Sequence, residues 1–152
     1  MTIKQIINEF EKQQQLFYTL FKSFNSGEEY RWAEKQDIVY PNIYSCYPSI
    51  SNQTNDSVVY KFVIIFTDRS FEGGETDLAM RSRLDTAVLI YINDFISNYI
   101  EANNLPFTMT NPSYLHYQEQ GNDRSYKIRA EFNVIMPITV CSNIKLFQPS
   151  CP

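Results

Sequence analysis

Few side chains in this 152-residue chain are equipped for chemistry, and their spacing limits what they can do. His116 is the one imidazole. Nucleophilic catalysis needs a Ser or Cys, a base, and an acid that orients the base. Here the base lies in an extended run beside Tyr114 and Tyr117, which reads as a residue on a sheet surface. Cys46, Cys141 and Cys151 include no CxxC pair and no second histidine joins them, so zinc-type ligation lacks a framework. Free thiols in a reducing compartment are the expectation. Carboxylates lie near one another in sequence at Glu28-Glu29 and at Asp77 and Asp85, where helix capping or solvation accounts for them. Gly73-Gly74 ahead of a helix would offer backbone donors to an anion. Neither a dinucleotide-binding glycine fingerprint nor a P-loop pattern is present, and a plain turn suffices. Arg81, Arg83, Lys61, Lys127 and Arg129 make a basic patch only if helix and strand faces converge. Charges on solvated faces, paired with Asp77, Asp85 and Glu131, are the simpler account. No catalytic, cofactor-binding or metal-ligating set emerges, and no enzyme is expected.

Composition narrows the class further. A chain of this length forms one domain, residues 1–152, and buries about two thirds of its unfolded surface without disulfide or metal staples. Its 43% hydrophobic and 20% charged residues are ordinary, but 15% aromatic, with 11 Tyr and 11 Phe, is high and fits strands and buried interfaces. A formal net charge of -4 and a sequence pI near 5.0 oppose a general nucleic-acid binder. The amino terminus has no basic stretch followed by a long apolar run, and nowhere do about 18 apolar residues follow one another. A chain made in the cytoplasm, neither secreted nor membrane-spanning, is expected.

The elements that must position these residues follow from periodicity. Between residues 75 and 101, Leu84, Val88, Tyr91, Ile92, Phe95 and Tyr99 recur at three- and four-residue steps, which predicts a core-facing helix. Residues 3–24 predict a first helix, its Thr2 and Gln5 spaced for a capping box and its stripe of Ile3, Ile6, Phe10, Phe17, Leu20, Phe21 and Phe24 interrupted by Gln13, Gln14 and Gln15. That stripe docks on the chain's own sheet rather than on a neighbour. Extended structure is expected over residues 28–47, with Pro41 and Pro48 at strand ends. The polar run 49–57 reads as a loop. Residues 58–68 read as a central strand, with Phe62, Ile64 and Phe66 on one face and Lys61, Val63, Ile65 and Thr67 on the other. After the helix come an extended run over 107–118, a hairpin connection over 119–124, and a strand alternating Tyr126, Ile128, Ala130, Phe132, Val134 and Met136 with Lys127, Arg129, Glu131 and Asn133. Residues 107–140 thus form a β-hairpin and 141–152 a tail. The architecture expected is α+β: an antiparallel or mixed sheet packed by two helices, with a projecting hairpin loop and a C-terminal arm.

In this order the residues resemble a family. Tyr40-Pro41 or Tyr47-Pro48 ahead of a short strand, the pattern Y-x-F-x-x-x-F-x-D-R from Tyr60 to Arg69, and the acidic opening from Glu75 to Leu84 of a long helix are similar to tail-terminator and neck proteins of tailed phages. The resemblance is closest to small virion ring proteins of crAss-like and other Bacteroidetes phages, and it covers about residues 40–141. The aromatic first helix and the proline-containing tail depart from it. It implies a tail-terminator-like fold and a virion protein of the neck or tail. That protein assembles as a hexameric or dodecameric ring and contacts portal, other neck or ring proteins, and the tail tube or hub. DNA passes through its lumen without sequence-specific binding, and no membrane or cofactor is involved. Asn52, Thr54 and Asp56 in the polar loop, Arg81, Arg83 and Asp85 on the outer face of the long helix, and Phe147 and Pro149 in the tail are then the residues expected to meet neighbours. A competing reading is a small phage-encoded binding module acting on a host protein.

Overall fold

Two long strands set the frame. In the computed structural model, which describes residues 1–34, 38–69, 77–118 and 125–138, β4 (Ser57–Arg69) and β7 (Ser125–Pro137) each run 13 residues. They pair antiparallel without a break, from Ser57 opposite Pro137 to Arg69 opposite Ser125. Their β-branched and aromatic content is what a pleated, two-sided position favours. Shorter strands flank them. On the free side of β4 lie β2 (Asn42–Cys46) and β3 (Ser49–Gln53), both antiparallel to it; on the free side of β7 lie β5 (Thr108–Met109) and β6 (Ser113–Gln118). β1 (Ser23–Gly27) adds to β2 in parallel, giving a seven-stranded mixed sheet. The α+β architecture and the central strand are as the alternation implies.

One face of this sheet carries paired apolar rows, Phe62 opposite Phe132, Ile64 opposite Ala130 and Phe66 opposite Ile128, all buried. Such a face must be covered. α1 (Ile3–Leu16) and α2 (Asp77–Asp94) cover it, α2 continuing through a π-helical turn (Phe95–Tyr99) and a last α turn (Ile100–Ala102). The stripe of Leu84, Val88, Tyr91, Ile92, Phe95 and Tyr99 is buried. Phe10 of α1 stands where the three layers meet, its ring 4.4 Å from Phe95 and 5.9 Å from both Phe62 and Phe132. Asn104, the one non-glycine residue of positive φ (51°) among those described, ends the helix ahead of Leu105 and Pro106.

The first helix begins as expected and ends early. Thr2 and Gln5 form the capping box, at 2.7 and 3.3 Å. The helix stops at Leu16, however, and residues 23–27, expected to finish it, are strand β1. Ser, Asn and Gly there form helix poorly, and a sheet edge offers their backbone a ladder. The glutamines that interrupt the apolar stripe explain the turn. Gln13 and Gln14 are buried, Gln14 Nε2 donating to Phe21 O at 2.7 Å and Gln13 Nε2 to Tyr91 O at 3.0 Å and Asp94 Oδ2 at 3.1 Å. They fold the chain back and seat Phe21 against Phe66 and Tyr91.

Two further expectations are corrected. Residues 49–53 form strand β3 rather than loop: all five are exposed, so no buried face prints an alternation in the sequence, and the backbone ladder to β4 alone makes the strand. Within 28–47 the chain is not extended throughout, since Glu29–Glu34 form a 3₁₀ helix that seats Trp32 on the second sheet face with Tyr44, Cys46, Val63 and Ile65. Pro41 and Pro48 do flank β2. The glycine turn at 73–74, the connection at 119–124 and the tail at 141–152 lie outside the described residues. Among the described residues no helix is long and apolar enough to cross a membrane.

Phe95 is fully buried and stacks on Phe10, Tyr99 and Phe107, tying the long helix to the residue at which the layers meet, so Phe95→Ala is expected to cost about 3–5 kcal/mol of stability. Urea unfolding with an unchanged slope and a lowered midpoint is the measurement, and a loss below about 1 kcal/mol would contradict the three-layer contact.

Candidate functional site

The core-facing row of β4 does not end in an apolar residue. After Phe62, Ile64 and Phe66 it reaches Asp68, whose side chain is 2% exposed. A carboxylate there is costly unless charge and hydrogen bonds compensate it. α2 supplies both. Arg83 directs Nε (3.0 Å) and Nη2 (2.8 Å) onto Asp68 Oδ2, while Asp68 Oδ1 accepts the Arg69 backbone N–H at 2.7 Å. This pair lies at one end of the sheet in a groove of about 660 Å³ that Lys22, Tyr40, Pro41 and Leu84 also line.

Two more polar residues of α2's first half, Asp85 and Arg81, meet the sheet beside it. Asp85 Oδ1 is 3.2 Å from His116 Nε2 of β6. Arg81 lies over the ring of Tyr126, 5.5 Å from its centroid, and Tyr126 is the cross-strand partner of Asp68. The Tyr126 hydroxyl is buried and finds no hydrogen-bond partner among the described residues. Burial raises its pKa, Arg81 opposes that shift and Asp85 adds to it. Asp85 and His116 have the geometry in which a carboxylate orients an imidazole. The ring of Tyr126 lies 6.1 Å from that of His116. What the arrangement does plainly is tie α2 to the sheet at three strands, β4, β6 and β7.

Of the residues expected on an outer face, Arg83 and Asp85 are therefore corrected. They are half-buried and hold the helix to its own sheet, because the stripe of α2 rotates them onto the seam; Arg81 is exposed while leaning on Tyr126. The basic patch does not form. Arg81 and Arg83 act on the helix-covered side, whereas Lys61, Lys127 and Arg129 are on the opposite face, as the alternation of β4 and β7 requires. There Arg129 contacts Glu29 (2.7 Å) and Glu131 (2.8 Å), Lys61 contacts Glu131 (3.0 Å), and Lys127 stacks 3.5 Å over Trp32. Beneath them burial pushes the Cys46 thiol up to about 12, with Glu29 adding to the shift, so this cysteine stays a protonated, packed side chain. No group of three or more His, Cys, Asp or Glu residues able to hold a metal occurs among the described residues.

Asn52, Thr54 and Asp56 lie together on the exposed β3–β4 hairpin. Thr54 Oγ1 accepts the N–H groups of Asp56 (3.3 Å) and Ser57 (3.1 Å), shaping the turn, and Asp56 O accepts the N–H of Ile138 at 2.8 Å. Phe147 and Pro149 lie outside the described residues. Sequence reasoning passed over Asp68 and Tyr126 as site residues. The signal for Asp68 was its phase, a carboxylate in step with Phe62, Ile64 and Phe66.

Arg83→Met is expected to cost about 3–5 kcal/mol, because it strands a buried carboxylate, and Arg83→Glu to cost at least as much. Chemical unfolding of both variants checks this; wild-type stability would refute the seam. On the other face, Arg129 and then Lys61 hold the Glu131 carboxyl below its ordinary range. A folded-state pKa below the unfolded one gives stability present above the unfolded value and lost as pH falls through the folded one. Glu131→Gln should therefore flatten the acid side of the stability–pH curve, measured by thermal melts from neutral pH downward.

Neither a protein-family model nor a curated protein sequence matches the chain.

Proposed function

We propose that this chain is a structural subunit of a phage virion, forming a hexameric or dodecameric ring at the neck or tail. As a tail terminator or head-tail connector it joins portal or other neck proteins to the tail tube and leaves a channel through which DNA passes. The observation that carries this reading is the layout of one end of the sheet. The exposed β3–β4 hairpin projects there, and the backbone bond from Ile138 to Asp56 roots the segment 139–152 at the same place. A hairpin and the start of a further segment at one pole, on a body whose outer strands β1 and β6 each pair on one side among the described residues, suit subunits that repeat around an axis through heterologous contacts. The charge of -4 suits a DNA channel, since like charges do not adhere. Arg83 and Asp85 of the long helix are engaged with its own sheet, which fits a scaffold better than an open catalytic cleft.

Exposed aromatic side chains, Tyr18, Tyr30, Tyr47 and Tyr117, favour a second reading in which the chain binds a host protein. Electron microscopy of the particle, with pull-down from infected cells, separates the two. The ring reading expects a hexamer or larger travelling with portal and tail proteins. A single copy or a pair per particle, or capture with a host protein alone, would overturn it.

A further inference from the structure

We infer that residues 139–152 of one copy dock as an added strand along the outer edge of β6 of the next copy, antiparallel to it. The inference rests on the ring reading and names the contact that would close the ring. Among the described residues β6 hydrogen-bonds to β7 alone. Its sequence, Ser113-Tyr-Leu-His-Tyr-Gln118, contains none of the lysines, acidic residues or prolines that blunt a free edge. Leu115 and Tyr117 stand 51% and 45% exposed on the face away from the helices. This is an edge prepared for a partner strand, with apolar side chains at alternate positions.

The segment that fits it is in the chain. In the antiparallel register that sets Leu146 opposite Leu115, Ile144 falls opposite Tyr117, and these four apolar side chains share the outer face. The alternate positions fall on the helix side. There Lys145 comes opposite His116, beside the carboxylate of Asp85, and Phe147 comes opposite Tyr114, which is partly buried against the core. Apolar residues, charge and an aromatic pair match in one register. Pro149 just beyond and Pro112 just before β6 mark the ends of the paired stretch.

Reach makes the partner a second copy. Extended at ~3.3 Å per residue, residues 139–152 span about 46 Å, more than the body of one subunit. For the segment to reach its own β6 in this register, Ile144 would have to lie beside Tyr117 and so near Lys127, about 36 Å back along β7 from Ile138, whereas the six residues between them span only about 20 Å. The segment would also pass β5, which occupies that edge opposite Val134 and Ile135. Continuing outward instead carries it to a neighbour.

The test is the chain carrying Leu115→Cys and Leu146→Cys, with Cys141→Ser and Cys151→Ser. Under oxidation it should give a ladder of disulfide-linked multimers on a non-reducing gel. A monomer closed on itself, or no cross-link, overturns the docking between copies. Leu146→Asp should weaken self-association about tenfold or more in sedimentation velocity, and unchanged association would equally overturn it. Particle stoichiometry reads the ring independently: a full ring without these links would remove the arm's seat and leave the ring standing.

Discussion

The unbroken pairing of β4 with β7 is the constraint on which the other elements depend. Thirteen residues in register give the sheet a face too apolar to meet water, and at about 25 cal/mol per Å² covering it outweighs any preference within the helices. α1 and α2 are long and amphipathic because that row is long. Neither helix would be secure alone, since helical stability in a globular protein comes chiefly from the packed face. The same pairing sets the edges: with β7 filling one side of β4 and β4 one side of β7, every other strand must add to an outer flank.

Where the row ends, polarity has to enter the core, and it enters as a pair. Asp68 and Tyr126 are cross-strand neighbours beyond Phe66 and Ile128, and both face the helices. Arg83 satisfies the carboxylate from α2, and Arg81 leans on the phenol. Together with Asp85 and His116 these contacts fix the rotation of α2 on the sheet, which packing of an apolar stripe alone would leave loosely specified. The buried glutamines do the corresponding work for α1, with Gln13 bonding to α2 and Gln14 to the chain that returns toward β1. The polar residues of the core thus serve as registers between layers.

The fold was legible where burial imposes a period. β7, the stripe of α2 and the start of α1 could be read because one face of each is buried and the other wetter, and β4, buried on both faces over most of its length, by its run of β-branched and aromatic residues. Strand β3 could not be, because a strand exposed on both faces has no period to read. Phe17, Leu20, Phe21 and Phe24 continue the helical spacing of α1 although the helix ends at Leu16; they are buried or partly buried in a turn and a strand instead, and periodicity does not tell those apart. The site was legible only in part. Arg83 and Asp85 were visible as charged helix residues, but their partners Asp68 and His116 lie on strands whose crossing with α2 no local pattern encodes. Asp68 was visible as a motif residue ending a strand; only the packed helix shows that its carboxylate is buried.

The two faces of the sheet are consequently unlike, and this bears on assembly. The helix-covered face is closed by aromatic packing and a buried ion pair, neither of which can be given up without unfolding the domain. The second face is closed over Val63 and Ile65 by a short 3₁₀ helix held through Trp32 and the Glu29–Arg129 pair, and toward β6 it opens onto Leu115 and Tyr117. Partly exposed ion pairs contribute little each and weaken with salt. The proposed ring would therefore place its contacts along the β6 edge and this outer face. The helices, which look from the sequence like the working surface, are committed to the fold.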